Sequence, residues 1–358
     1  MTGKPLLDDL SAIRRLDPGD MLGSLRGLPE QCEEAWHAAS GLKLPRDYAD
    51  IDRIVILGMG GSAIAGDYFR AVLQREAAVA VFNVRDYGLP PFVDERTLVI
   101  ASSFSGDTEE VLSAFQQALA TPAKKVVVTT GGRLLTTARA NGVPLFAFQY
   151  AGEPRAAIAW TLMPMLALAE SLGLMQGVER DVEEAAEVLR ALVGELAEET
   201  PTKRNPAKQM AVALREKLPV VYGSGPLIEV ARRWKTQLNE SAKVWAFSEE
   251  LPEVHHNAII GYEFPQGVAR ETAVVFLESP DLVHPRVRLR YDFTQRLLER
   301  GGVSVHHAAS HGKTALAQML SLTLVGDYAS AYLAFLYGAD PTPTAVIDEL
   351  KAWLAGQK

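Results

Sequence analysis

Two short apolar runs, each ending in a glycine-serine turn and each followed by a helical stretch, constrain the fold of this chain more than any other feature. Residues 54–57 (IVIL) run into GMGGSAIAGDYFRAVL, and residues 218–222 (LPVVY) run into GSGP and a helical pattern over 227–238. A strand that stops at glycine and resumes as a helix is the unit of a parallel sheet, because parallel neighbours need a long crossover connection. Further strand candidates fall at 79–84, 98–102 and 125–129, then at 244–247, 273–277 and 303–306, with helical stretches such as 108–119 between them. The recurrence predicts an α/β fold of two tandem, doubly wound parallel-sheet subdomains.

Helical extensions flank these subdomains. Residues 1–50 read as an N-terminal helical segment, with helical spacing over 5–40, and 51–177 as the first subdomain. A helical linker over 178–205 is rich in Glu and Ala and is punctuated by Thr200-Pro201 and Asn205-Pro206. The second subdomain then covers 206–340, including a long apolar helix over 316–336. A C-terminal helix over 341–358, with Pro341 or Pro343 in its first turn, is expected to pack back on the body. A chain of 358 residues suits two domains.

Composition narrows the function classes. A net charge of −8 argues against a broad nucleic-acid-binding face, so an anionic ligand has to be held locally. The apolar stretch 158–168 is shorter than the ~20 residues of a membrane span and contains Pro164, which predicts a buried helix and no membrane partner. The N-terminus lacks the apolar core of a signal peptide, and the single cysteine, Cys32, excludes an internal disulfide and a cysteine-based zinc site. The expected compartment is the cytoplasm.

In open α/β sheets the ligand lies at the carboxyl ends of the strands, where loops enter helices. The loop 58–62 stands there, and its glycines allow an anion to approach the backbone N–H groups of the following helix. A dinucleotide fingerprint would need a third glycine where Ala63 stands. The segment SSFSGDTEE over 102–110 offers the hydroxyls of Ser103, Ser105 and Thr108 around Gly106, a composition suited to the three oxygens of a phosphate. A Ser/Thr helix cap followed by Glu is the alternative reading of the same residues.

GMGGSA followed by SSFSGDTEE resembles the sugar isomerase (SIS) domain, and the restart at YGSGP resembles its tandem form. NES over 239–241, PEVHHN over 252–257 and the tail from Gly326 narrow the resemblance to the bifunctional phosphoglucose/phosphomannose isomerases. It implies reversible isomerisation of glucose 6-phosphate, and of mannose 6-phosphate, to fructose 6-phosphate without metal or organic cofactor. Gly60, Gly61, Ser62, Ser103, Ser105 and Thr108 are implied to hold the phosphate. Glu240 is implied as the proton-transfer base, His256 and Lys351 as ring-opening groups, and Arg155 as the cation at the enediolate. Thr344 is implied to lie near the substrate carbonyl, seven residues and two helical turns from Lys351. Solvated surface positions are the rival reading for Arg155 and Lys351. Ala258 departs from relatives that carry an acid after His-Asn. The resemblance further implies a homodimer with shared active sites. A non-catalytic phosphosugar sensor, or another SIS-domain sugar-phosphate enzyme, remains the alternative.

Overall fold

A computed structural model describes residues 5–357. The N-terminal segment is three helices rather than one: α1 (Leu10–Leu16), α2 (Met21–Arg26) and α3 (Leu28–Ala39). Asp17 explains the first break, since it ends α1 while its carboxylate accepts from the backbone N–H groups of Met21 (2.8 Å) and Leu22 (3.0 Å) at the start of α2.

Contacts divide the chain into two compact units. One comprises Gly27–Arg190 and His311–Ser321; the other comprises the chain up to Arg26, Ala191–Ser310 and the chain from Leu322 onward.

The first of these units contains β1 (Arg53–Leu57), α4 (Gly60–Leu73), β2 (Ala80–Val84), β3 (Thr97–Ser103), α5 (Glu109–Leu119), β4 (Lys124–Thr129), α6 (Gly132–Ala140), β5 (Leu145–Ala147) and α7 (Ile158–Ser171). The helix α8 (Val178–Leu196) follows. The strands are all parallel in the order β2-β1-β3-β4-β5, so the winding reverses between β1 and β3. Strand alternation sends Val55, Leu57, Val99, Ala101 and Val127 to one face, where α5 and α6 cover them with Val111, Phe115 and Leu134. The opposite face belongs to α4, whose Gly66 lies against Ile56. Burial on both faces is what a continuous IVIL run requires. The three-residue β5 was not anticipated, being too short to leave a period-2 pattern.

The other unit contains α9 (Pro206–Leu214), β6 (Leu218–Ser224), α10 (Leu227–Glu240), β7 (Phe247–Leu251), α11 (Gln266–Glu271), β8 (Thr272–Glu278), α12 (Pro285–Arg300) and β9 (Ser304–Ala309). Its sheet is also parallel, ordered β7-β6-β8-β9, with its reversal between β6 and β8. The strand expected over 244–247 instead starts at Phe247. Residues 241–244 wrap the end of α10, with the Val244 N–H on Leu238 O (3.0 Å) and Asn239 Nδ2 on Val244 O (2.8 Å).

The chain ends in α13 (Ala315–Leu336) and α14 (Ala345–Ala355). α13 is long and apolar enough to cross a membrane, but 94% of its most apolar window is buried, as in a core helix. Asp327 on α13 pairs with Arg233 on α10 at 2.6 Å, both side chains buried. Removing either partner would cost about 3–5 kcal/mol. α14 starts at Ala345 and not at the prolines, with Thr344 at its N-cap in a non-helical conformation. Its apolar residues do not pack on the body: Val346, Ile347, Leu350, Trp353 and Leu354 are all exposed.

Candidate active site

β1 delivers the glycine loop. Its last residue, Leu57, pairs with Ala101 of β3, so the loops after β1 and β3 emerge side by side at the carboxyl edge, where the winding reverses. Gly60 opens α4 with φ +49° and open space around its Cβ position. Met59, at the N-cap, makes no side-chain bond to the helix; its carbonyl takes the Ser62 N–H (3.1 Å), which leaves the N–H groups of Gly60 and Gly61 to a ligand. Gly61 lets a second segment approach, since a Cβ there would stand 3.3 Å from Pro154 O and 3.7 Å from the Cα of Arg155.

Arg155 therefore lies against the Gly60–Ser62 turn. Its side chain is only 4% exposed and its guanidinium reaches Glu153 at 3.1 Å, so the solvated-surface reading fails. A cation held in a low-dielectric environment acts on charge more strongly than one in water.

The loop after β3 is knotted by its own hydroxyls. Ser103 Oγ and Thr108 Oγ1 are 2.8 Å apart, the Gly106 N–H donates to Ser103 Oγ (3.1 Å), and the Asp107 N–H donates to Ser105 Oγ (3.2 Å). Gly106 has φ +72°, and a Cβ there would overlap the carbonyl oxygen of Gly131. Thr108 takes the N-cap position of α5 without capping it. The plain helix-cap reading of this segment is thus not realised, and the donors of α5 stay available beside those of α4.

The other predicted residues lie in the second unit. Glu240 is the last residue of α10, and Thr344 immediately precedes α14. Lys243, which the sequence did not mark, joins them: its Nζ donates to Glu240 O (2.6 Å) and Pro343 O (2.7 Å). Lys351 stands 72% exposed on α14, 3.5 Å from Asp348, which matches the solvated reading within one chain.

His256 and Glu240 are positioned by different helices. β7 ends at Leu251, level with Ser224 at the carboxyl edge of the sheet, and His256 follows five residues later. α10 leaves that same edge and runs its fourteen residues, about 20 Å, to the opposite edge before Glu240 is reached.

His255, also missed, anchors the loop of His256. Arg290 can only donate, so its 3.1 Å contact makes His255 Nδ1 the acceptor and leaves Nε2–H to donate to Thr294 Oγ1 at 2.6 Å. Burial, then the charge of Arg290 and then His256 push the His255 imidazole below its ordinary value, which keeps this neutral tautomer. The pairing with residues 290 and 294 is long-range, so no local sequence pattern could have shown it.

Two doubly wound parallel sheets, with an open hydroxyl-lined cradle on the first, define a tandem SIS-domain protein. Residues 47–140 match the model of the SIS domain, and residues 203–354 match that of the bacterial phospho-glucose isomerase C-terminal SIS domain. A bifunctional phosphoglucose/phosphomannose isomerase of Caldicellulosiruptor bescii is 40% identical over 336 residues, 94% of this chain and 99% of that one. Its counterpart in Aquifex aeolicus is 34% identical, over 89% of this chain and 98% of that one. The chain belongs to the bifunctional phosphoglucose/phosphomannose isomerase family. Among solved structures, a hypothetical protein of Thermus thermophilus shares the fold with TM-score 0.75 at 18% identity, covering 98% of this chain and 94% of that one.

Proposed function

We propose that this protein interconverts glucose 6-phosphate and mannose 6-phosphate with fructose 6-phosphate through a cis-enediol. The observation that carries the reading is the cradle at the winding reversal of the first sheet, where two uncapped helix entries and three hydroxyls converge in a chain of this family. A phosphate dianion accepts many hydrogen bonds, and that set of donors suits it.

Roles follow from chemistry. Gly60, Gly61, Ser62, Ser103, Ser105 and Thr108 hold the phosphate. His256 and Lys351 assist ring opening. The Glu240 carboxylate takes the C2 proton of the open aldose and returns it to C1, and Arg155 steadies the charge that develops on the oxygens meanwhile. Thr344 leaves room beside the carbonyl, so both C2 epimers are accepted. No step calls for a metal or an organic cofactor.

The site is proposed to be shared in a homodimer. Glu240 ends α10, whereas the loop of His256 is held through His255 to Arg290 and Thr294 of α12, so different helices position the two residues. The uncovered apolar residues of α14 support association with a second copy. In this reading 51–177 and 206–340 act as the paired SIS subdomains of a cytoplasmic enzyme. A coupled assay that follows fructose 6-phosphate from each aldose phosphate tests the proposal. Turnover of both is expected, and absence of product from either aldose overturns the corresponding half.

A further inference from the structure

The two loops assigned to the phosphate lead into helices on opposite faces of the first sheet. α5 lies over Val55 and Val99, and α4 lies over Ile56 on the other side. A phosphate is gripped only if donors from both helix entries reach it at once, so the gap between those entries has to be set by something that touches both helices.

The chain leaving β2 does so. Arg85 pairs with the carboxylate of Asp67 on α4, which is only 1% exposed, and it also donates to Ala63 O in the first turn of that helix (3.4 Å). Asn83 Nδ2 adds a bond to Asp67 at 2.6 Å. Two residues on, Tyr87 O accepts from Ser113 Oγ (3.0 Å) and Gln117 Nε2 (2.8 Å) of α5, and the Leu89 N–H donates to Gln117 Oε1 (3.1 Å). Residues 85–89 are thus tied by side chains to α4 at one end and to α5 at the other.

We propose that this strap sets the separation of the two helix entries, and that Arg85 and Gln117 are positioning residues for sugar-phosphate binding. They act through α4 and α5 and do not touch the reacting carbons. The inference rests on the cradle being the phosphate site. Without Arg85, the buried Asp67 carboxylate loses its guanidinium and keeps the Asn83 bond, and the first turn of α4 loses its tie at Ala63 O to the strap. Without Gln117, α5 loses its hold on the strap. Either change moves one half of the cradle relative to the other, and the loss falls on binding because the proton-transfer groups lie elsewhere.

The test compares Arg85→Ala, Gln117→Ala, the double variant and Arg85→Lys. It measures KM and kcat for fructose 6-phosphate, the Kd of inorganic phosphate by calorimetry, and Tm. Each single variant should raise KM and the phosphate Kd about tenfold with kcat within about twofold, the size expected of a small misplacement. The double variant should be no worse than the weaker-binding single variant, because cutting the strap at either end frees it, whereas unrelated losses would multiply. Arg85→Lys should recover most of the affinity. Unchanged KM and Kd in the single variants, or multiplied losses in the double one, would overturn the strap. Should Arg85→Ala not fold, Gln117→Ala with Ser113→Ala, on the exposed side of α5, decides the matter on the same readouts. A wild-type chain with no turnover fails the isomerase reading alone, since the phosphate Kd still reads the strap.

Discussion

The loop after β3 and the loop after β8 occupy the same place in two sheets of like strand order, but they treat the helix that follows differently. Thr108 leaves the first turn of α5 uncapped. After β8, Ser279 Oγ accepts from the N–H groups of Asp281 (3.2 Å) and Leu282 (2.9 Å), His284 Nδ1 accepts from the Arg286 N–H (3.1 Å), and Pro285 removes another donor from α12. One entry is open to an anion; the other is closed by the chain's own acceptors. Topology places the crevice in both halves, and only the capping chemistry decides whether it can hold a phosphate. The second half supplies Glu240 and His256 instead, so the proposal divides the work, with anion grip in the first sheet and proton chemistry in the second.

The strongest test of that division is Glu240→Gln. Losing a general base costs roughly 10²- to 10⁴-fold in turnover, while the phosphate Kd, set by the other half, should stay put. Refolding this variant with His256→Ala chains sharpens the result. Random pairing makes about half the dimers mixed, each with one intact site, so roughly a quarter of wild-type activity should return if sites are shared. Recovery of none, with subunit exchange confirmed by a tag, would place both residues in one chain's site. Undiminished turnover by Glu240→Gln alone would remove that residue from the mechanism.

A matched pair of glycine substitutions comes next. Gly106→Ala forces a Cβ onto Gly131 O at φ +72°, so the loop after β3 has to move, and sugar-phosphate KM should rise about 10- to 100-fold. Gly225, after β6, also has positive φ (+56°), with its nearest neighbour, Leu282 O, at 3.0 Å from a Cβ. Gly225→Ala should lose about 1–3 kcal/mol of stability through strain and leave KM within about twofold. Equal KM effects from both would erase the asymmetry between the halves.

The smallest expected effect concerns pH. Because the folded state holds His255 neutral, an unfolded chain takes up the proton first as pH falls below about 6.5, so stability should decline with falling pH from there. His255→Gln, which can still accept from Arg290 and donate to Thr294, should flatten part of that slope. His306, lowered by burial and then by His307, acts in the same direction. A melting-temperature series between about pH 5 and 7 that is unaltered by the substitution would remove His255 from the account.

Both cradle loops were legible in the sequence because each is a local event: an apolar strand stops, a glycine or hydroxyl turn follows, and a helix begins. The span of β7 was not, since Lys243 takes a positive φ and residues 241–244 wrap α10 through bonds that composition does not encode. The placement of Glu240 at the foot of the sheet was readable in principle, because a helix that leaves the top of a parallel strand must end at its foot. Arg155 could not have been told from a surface arginine without Gly61 beside it. The strap had no local sign at all, for its tethers join residue 85 to 67 and residue 87 to 113 and 117.

The separate anchoring of Glu240 on α10 and of the His256 loop on α12 has one more consequence. If the two residues of one chain serve different sites, a solitary chain holds parts of two reaction centres and the whole of neither. Catalysis would then be a property of encounters: specific activity should fall as the enzyme is diluted, and an excess of chains lacking both Glu240 and His256 would silence intact ones by occupying them.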